Sequence, residues 1–360
     1  MTEAFIPSSL RQWWPKPANP RPIVIFGAGS IVGDAHLPAY RKAGFPVAGI
    51  FDPDGEKAAA LAQQWDIRAF ATEEEAVAAE NAVFDLATPP AAHVPILSKL
   101  PKGSFALIQK PMGGNLAAAT DILEICRARQ IKAAVNFQLR FAPMMIALKD
   151  AIARGYLGEV VDFDAWLALA TPWGLWPFLK GLPRIEIAMH SIHYLDLVRD
   201  LLGDPQGVHA KSIGHPNHDV AQTRTAAILD YGERVRCVLS VNHDHDYGRK
   251  FQACEFRISG TRGAAYVKLG VNLDYPRGEP DELWIRPSDC SEWVPVPLEG
   301  SWFPDAFANR MANIQRHASG DDDELIGSVE DAWRTMALVE AAYQSSARPA
   351  TPIPALPTEK

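Results

Sequence analysis

The spacing of apolar positions changes near residue 140. Before it, short β-branched runs read as strands: "PIVIFGAG", "FPVAGIFDPD", "AVFDLATPP", "FALIQKP" and "IKAAVNFQLR". Between them lie stretches with apolar residues at helical spacing, "SIVGDAHLPAYRKAG", "GEKAAALAQQWD", "AAHVPILSKLPKG" and "NLAAATDILEICRARQ". Strands that alternate with helices of this length predict right-handed crossovers and a parallel sheet. Beyond it, "MMIALKDAIARGYLGE" predicts a helix, "VVDFDAWLALA" a strand, and "RIEIAMHSIHYLDLVRDLLG" a long helix closed by Gly203. Strand-like runs with hairpin punctuation follow, "GVHAKSIGH", "TRTAAILDYGERVRCVLSVNHD", "FQACEFRISGTRGAAYVKLG" and "ELWIRPS", and predict a mainly antiparallel sheet. Two helices, "DAFANRMANIQRHASG" and "SVEDAWRTMALVEAAYQSS", end the fold.

These readings divide the chain into an extended arm over residues 1–20, an α/β domain over 21–141, a second α/β domain with a large open sheet over 142–347, and a Pro-rich tail over 348–360. The arm, with Trp13 and Trp14, is expected to pack on a surface of its own or a neighbouring subunit.

The strand–turn–helix at "FGAGSIVG" predicts a doubly wound dinucleotide fold of Rossmann type. The first glycine of such a turn permits the bend, the second lets the backbone approach a pyrophosphate, and the third lets helix and strand pack closely. Gly27 and Gly29 take the first two places, with Ser30 and Ile31 opening the helix toward the phosphates. The third is displaced: Val32 stands where the six-residue pattern puts glycine, and Gly33 comes one place late. Asp52 closes the second strand, where a carboxylate holds the ribose hydroxyls and repels a 2′-phosphate. The cofactor expected is NAD, with NADP the less favoured alternative.

Composition narrows the partners. A formal net charge of −8 and the lack of any basic run argue against nucleic acid, and 48% hydrophobic residues support a substantial core. The cysteines Cys126, Cys237, Cys254 and Cys290 are widely spaced and fit a reduced compartment. No secretory leader or membrane-spanning run is read, so the expected location is cytoplasmic.

The segments "GAGSIVGDAHLPAY", "DLATPPAAHVPIL", "IQKPMG", "RGYLGEV", "HYLDLVRDLLG" and "ISGTRGAA" occur in the order found in the Gfo/Idh/MocA oxidoreductases, and over residues 22 to 345 the chain resembles that family. It is named for glucose-fructose oxidoreductase, inositol dehydrogenase and a rhizopine catabolism protein. The resemblance implies a nucleotide domain followed by an α/β domain whose open sheet supports homodimers or homotetramers. It implies that Thr88 and Pro89 line the cofactor, with His93 one turn on as cofactor contact or helix surface. The family's E-K-P signature reads Gln109, Lys110, Pro111 here, and the resemblance gives Lys110 the place beside nicotinamide and the reacting hydroxyl. Gln109 hydrogen-bonds without adding charge, which would leave the lysine's pKa somewhat lower than a glutamate would.

The family's acid–histidine pair on the long helix fits two registers. His193 keeps the downstream match and leaves Met189 at the acid's place; Glu186 and His190 keep the pair spacing. His193 is preferred as the proton acceptor. On a regular helix Glu186, His190 and His193 share one face and reach one cavity. Their spacing also suits a metal, but no third ligand is identified and none is assigned.

Substrates implied are sugars or polyols. Trp173 and Trp176 offer flat apolar surfaces, Arg184 a donor, and Asn136, Gln138 and Arg140 the end of the last nucleotide-domain strand. In "NHDHDYGR", strand alternation separates His243 and His245 from Asp244 and Asp246, and a polar strand end or subunit contact is favoured over a metal site. The implied activity is hydride transfer between a CH–OH group and nicotinamide. The alternatives are an enzyme that uses tightly bound NAD transiently, for sugar–sugar oxidoreduction or elimination, and a catalytically silent sensing protein.

Overall fold

The computed structural model describes residues 5–175, 179–217, 219–274, 278–354 and 356. The first half alternates β1 (Ile23–Phe26), α1 (Leu37–Ala43), β2 (Val47–Phe51), α2 (Gly55–Trp65), α3 (Glu73–Val77), β3 (Val83–Leu86), α4 (His93–Lys99), β4 (Phe105–Ile108), α5 (Leu116–Ala128) and β5 (Lys132–Val135). Among the described residues its sheet has the order β2-β1-β3-β4-β5, with every pair parallel. The strand order reverses beside β1, and in open α/β sheets the ligand crevice lies there, beyond the carboxyl ends of the strands.

The second half continues with α6 (Pro143–Ala153), β6 (Val160–Ala168), α7 (Ile192–Leu202), β7 (Gly207–Ile213), β8 (Arg224–Asp230), β9 (Arg236–Asn242), β10 (Ala253–Gly260), β11 (Gly263–Lys268), β12 (Glu282–Pro287), β13 (Val294–Pro295), α8 (Asp305–Ser319) and α9 (Val329–Ala347). The described strands form a sheet of order β13-β12-β11-β10-β6-β9-β8-β7. Its pairs are antiparallel except β6 with β9. Alternation along β8 buries Thr225, Ala227 and Leu229 and leaves Ile228 exposed on the opposite face.

Two features reach across the halves. Helix α8, from the end of the chain, packs on the first sheet: Phe307, Met311 and Ile314 share a core with Ile23, Ile25, Val83 and Leu107. The N-terminal arm lies on its own chain. Gln12 donates to Pro297 O at 2.8 Å, the Trp14 amide to Asn309 Oδ1 at 2.9 Å, and the Trp14 indole to Asp322 at 2.9 Å. All four cysteines are free. Among the described residues no helix is long and apolar enough to cross a membrane.

Candidate active site

The first strand runs into Gly27, whose φ of +103° only glycine adopts readily and whose missing Cβ would sit 2.4 Å from Ala87 O. A Cβ at Gly29 would meet nothing within 4 Å, so this stretch of backbone is open on the crevice side. Ser30 is exposed beside it and Ile31 half-buried. The late third glycine has a structural answer. Residues Val32–His36 form a π-turn, a wider helical turn that takes up one additional residue. Gly33 still meets α2, 3.3 Å from Leu61 Cδ1 on adding a Cβ, and so keeps the close-packing role. Asp52 follows β2, and its Oδ2 accepts the Ala28 amide at 2.7 Å.

Thr88, Lys110 and Asn136 follow β3, β4 and β5 in the same way, so these positions all lie beyond the carboxyl ends of the strands. The Thr88 hydroxyl, both polar atoms of the Asn136 amide, and Gln138 Oε1 are buried without a hydrogen-bond partner among the described residues. Buried polar groups are rarely left so, and these suit a ligand rich in amide and hydroxyl groups. Together with the open Gly29 backbone and the Asp52 carboxylate, they fit a dinucleotide. Pro89 is exposed, and His93 is fully buried rather than on a helix surface. Its Nε2 faces Thr88 O at 3.1 Å, and burial lowers its pKa to about 4, so its neutral ring braces the Thr88 turn.

Lys110 donates from Nζ to Met189 O at 2.9 Å, and burial lowers its pKa to about 8. The neighbouring Gln109 is fixed at both ends. Its Oε1 accepts the Lys110 amide at 2.9 Å, and its Nε2 lies 3.3 Å from His36 Nε2. An amide N–H can only donate there, so His36 carries its proton on Nδ1, 2.7 Å from Asp85 Oδ2. The Tyr40 hydroxyl donates to the same carboxylate oxygen at 2.6 Å. Beside Lys110 this chain thus holds a neutral amide backed by a buried His–Asp–Tyr group. Sequence reasoning passed over His36 and Asp85. The available signal was an aspartate inside the fully buried strand "VFDL".

The long predicted helix is not regular. Glu186–Ser191 form a π-turn that leads into α7. Burial pushes the His193 pKa well below its ordinary value, and the Lys110 charge adds to this. His190 is pushed down by burial, then by His243, His193 and Lys110. Both rings are therefore neutral near pH 7, and each has an Nδ1 without a partner among the described residues. Glu186 is fully buried, with Oε1 accepting from Ser191 Oγ at 2.5 Å. His243 joins this group: its ring centroid is 4.3 Å from that of His190. Trp173 packs on His243 at 5.4 Å, and Trp176 lies outside the described residues.

The two arginines expected at substrate are engaged elsewhere. Arg140 makes a two-pronged pair with Asp196 and meets Asp331 at 2.8 Å. Burial would lower its pKa, and the carboxylates more than reverse this. It lines a cavity of about 1160 Å³ along β5, with Phe105, Lys132, Gly327 and Asp331. Arg184 is exposed, pairs with Glu340 at 2.6 Å and lies over the Tyr343 ring.

Residues 21–137 match the model of an oxidoreductase family with an NAD-binding Rossmann fold, and residues 145–266 match the GFO/IDH/MocA C-terminal domain. The chain belongs to the GFO/IDH/MocA oxidoreductase family. A D-apiose dehydrogenase of Paraburkholderia graminis is 25% identical over 325 residues, 86% of this chain and 84% of that one. A 1,5-anhydro-D-fructose reductase of Ensifer adhaerens is 25% identical over 312 residues, 83% of this chain and 90% of that one. The fold is shared with a levoglucosan dehydrogenase solved with NADH and levoglucosan, at a TM-score of 0.75 and 18% identity, covering 91% of this chain and 97% of that one. An oxidoreductase from Agrobacterium radiobacter, in complex with NAD+, L-tartaric acid and magnesium, has the same TM-score at 22% identity and the same coverage.

Proposed function

We infer that the protein is a dehydrogenase that uses NAD to oxidise a CH–OH group of a sugar or polyol, or to reduce the corresponding ketone. The observation that carries this reading is the placement of the buried Lys110 ammonium beside two neutral imidazoles, His190 and His193, at the carboxyl ends of the nucleotide-domain strands. Bound nicotinamide supplies the hydride acceptor at C4. His193 Nδ1 takes the hydroxyl proton, and the Lys110 ammonium stabilises the negative charge that develops on the same oxygen. Burial strengthens that interaction, since little water screens it. Thr88, Asn136 and Gln138 orient cofactor and substrate through polar atoms that have no hydrogen-bond partner among the described residues. Asp52 favours NAD over NADP, because its carboxylate repels a 2′-phosphate. Relatives named for D-apiose, anhydrofructose and levoglucosan support the substrate class.

The test is nicotinamide absorbance with purified protein, NAD or NADP, and pools of aldoses, sugar acids and cyclitols. Reduction of NAD in one pool, lost in Lys110→Met while nucleotide binding is kept, is the expected result. Full turnover in that variant would remove Lys110 from the chemistry. Silence in every pool, with nucleotide retained through purification, would replace this reading with transient use of bound cofactor.

A further inference from the structure

Glu186 and His190 lie on the π-turn before α7, and His243 lies just past the end of β9. Each offers one donor atom to a common point, and those atoms all lie within 4.8 Å of one another. Glu186 is 0% exposed and His243 1%. Glu186 Oε2 and His243 Nε2 have no hydrogen-bond partner among the described residues. Among the described residues no lysine or arginine pairs with Glu186, and the nearby Lys110 ammonium is turned to Met189 O. His243 Nε2 lies 3.5 Å from Glu186 Oε1, too long for a good hydrogen bond, and a buried carboxylate held no more closely than this is costly.

The surroundings fix the donors as a metal site requires. His243 Nδ1 is 2.7 Å from Thr171 Oγ1, which leaves Nε2 as the inward nitrogen, and Ser191 holds one oxygen of Glu186. His243 Nε2 and Glu186 Oε1, the oxygen that Ser191 holds, are 3.5 Å apart, on the scale of the edge of about 3.4 Å for a tetrahedron with bonds of about 2.1 Å, and Oε2 of the same carboxylate is left unpartnered for an ion.

We propose that Glu186, His190 and His243 bind one divalent first-row transition ion of the zinc class, with a fourth position open toward the crevice. Two imidazoles and a carboxylate select such an ion over magnesium or calcium, which take all-oxygen shells. The open position would accept a substrate oxygen next to the reacting carbon, a step that rests on the dehydrogenase reading.

Ion binding is read without turnover, so its failure is separate from failure of that reading. Tag-free full-length protein is stripped with chelator, dialysed, and titrated with Co²⁺ by visible absorption and with Zn²⁺ by equilibrium dialysis and elemental analysis. The expected result is one ion per chain and visible bands of a four- or five-coordinate site. Glu186→Gln and His243→Gln should each weaken binding at least tenfold, whereas His245→Gln, outside the donor set, should not. Circular dichroism checks the fold of each variant, and the wild-type stoichiometry stands without them. No ion above buffer in wild-type protein, or uptake undiminished in both folded cluster variants, would overturn the proposal.

Discussion

Replacing Lys110 with methionine should make the folded protein more stable below pH 8 while it removes activity. The ammonium is buried, and burial lowers its pKa from 10.5 to about 8. That drop corresponds to about 3 kcal/mol spent on keeping the charge in the folded state. Against it stands the hydrogen bond to Met189 O, worth about 1 kcal/mol. The net gain in Lys110→Met is about 2 kcal/mol, or about 3 °C in Tm for a chain of 360 residues. The pH dependence has a definite sign. Between pH 8 and 10.5 the unfolded lysine still holds its proton and the folded one has lost it, so wild-type stability rises with pH through that window. The cost is full below pH 8 and absent above 10.5. The assay is the difference in Tm between variant and wild type from pH 6.5 to 10.5, positive at the acid end and shrinking steadily above pH 8. Equal midpoints at pH 6.5, or a difference that does not change with pH, would refute the account of Lys110 as a destabilising charge kept for chemistry.

Gly27→Ala puts a Cβ 2.4 Å from Ala87 O at a φ of +103°. It should cost about 2–3 kcal/mol in urea unfolding and weaken nucleotide binding more than tenfold, and an ordinary affinity would dissociate this turn from the cofactor. Asp52→Asn should raise NADPH affinity relative to NADH by about tenfold or more, read by quenching of protein fluorescence; an unchanged ratio would assign cofactor choice to other residues. Asp85→Ala removes the acceptor shared by the buried Tyr40 hydroxyl and His36 N–H and should cost about 3 kcal/mol, whereas Asp85→Asn retains an acceptor oxygen and should cost less. Equal midpoints in a urea titration of the two variants would count against the buried group described here.

Local order was legible where a short apolar strand runs into a glycine or polar residue. Gly27, Asp52, Thr88, Lys110 and Asn136 each follow a short apolar run, and alternation with helices places all five run ends on one side of a parallel sheet. The partners of charged groups were not legible, because they are remote in sequence. Arg140 and Arg184 stand in polar, aromatic stretches that suit a sugar site, yet Asp196, Asp331 and Glu340 claim them across long separations. His243 shows the same limit. Alternation sorts its neighbours to two sides of a strand, but only the packing of that strand against the turn before α7 brings it to Glu186. The π-turns were invisible for another reason: a single added residue shifts the apolar period less than the scatter of an ordinary amphipathic helix.

Helix α8 also governs how the protein can be made. The face of the first sheet that carries Ile23, Ile25, Val83 and Leu107 is covered jointly by α1, through Leu37 and Tyr40, and by side chains from Asp305–Ser319. During synthesis, all five strands of that sheet leave the ribosome well before α8 exists, so the nucleotide-binding half waits for nearly the whole chain with part of an apolar face uncovered. A gene cut after the fifth strand would encode a cofactor domain that lacks part of its own core. Transplanting the two halves between relatives would have to carry α8 with the nucleotide-binding half, although it is encoded beyond the second sheet.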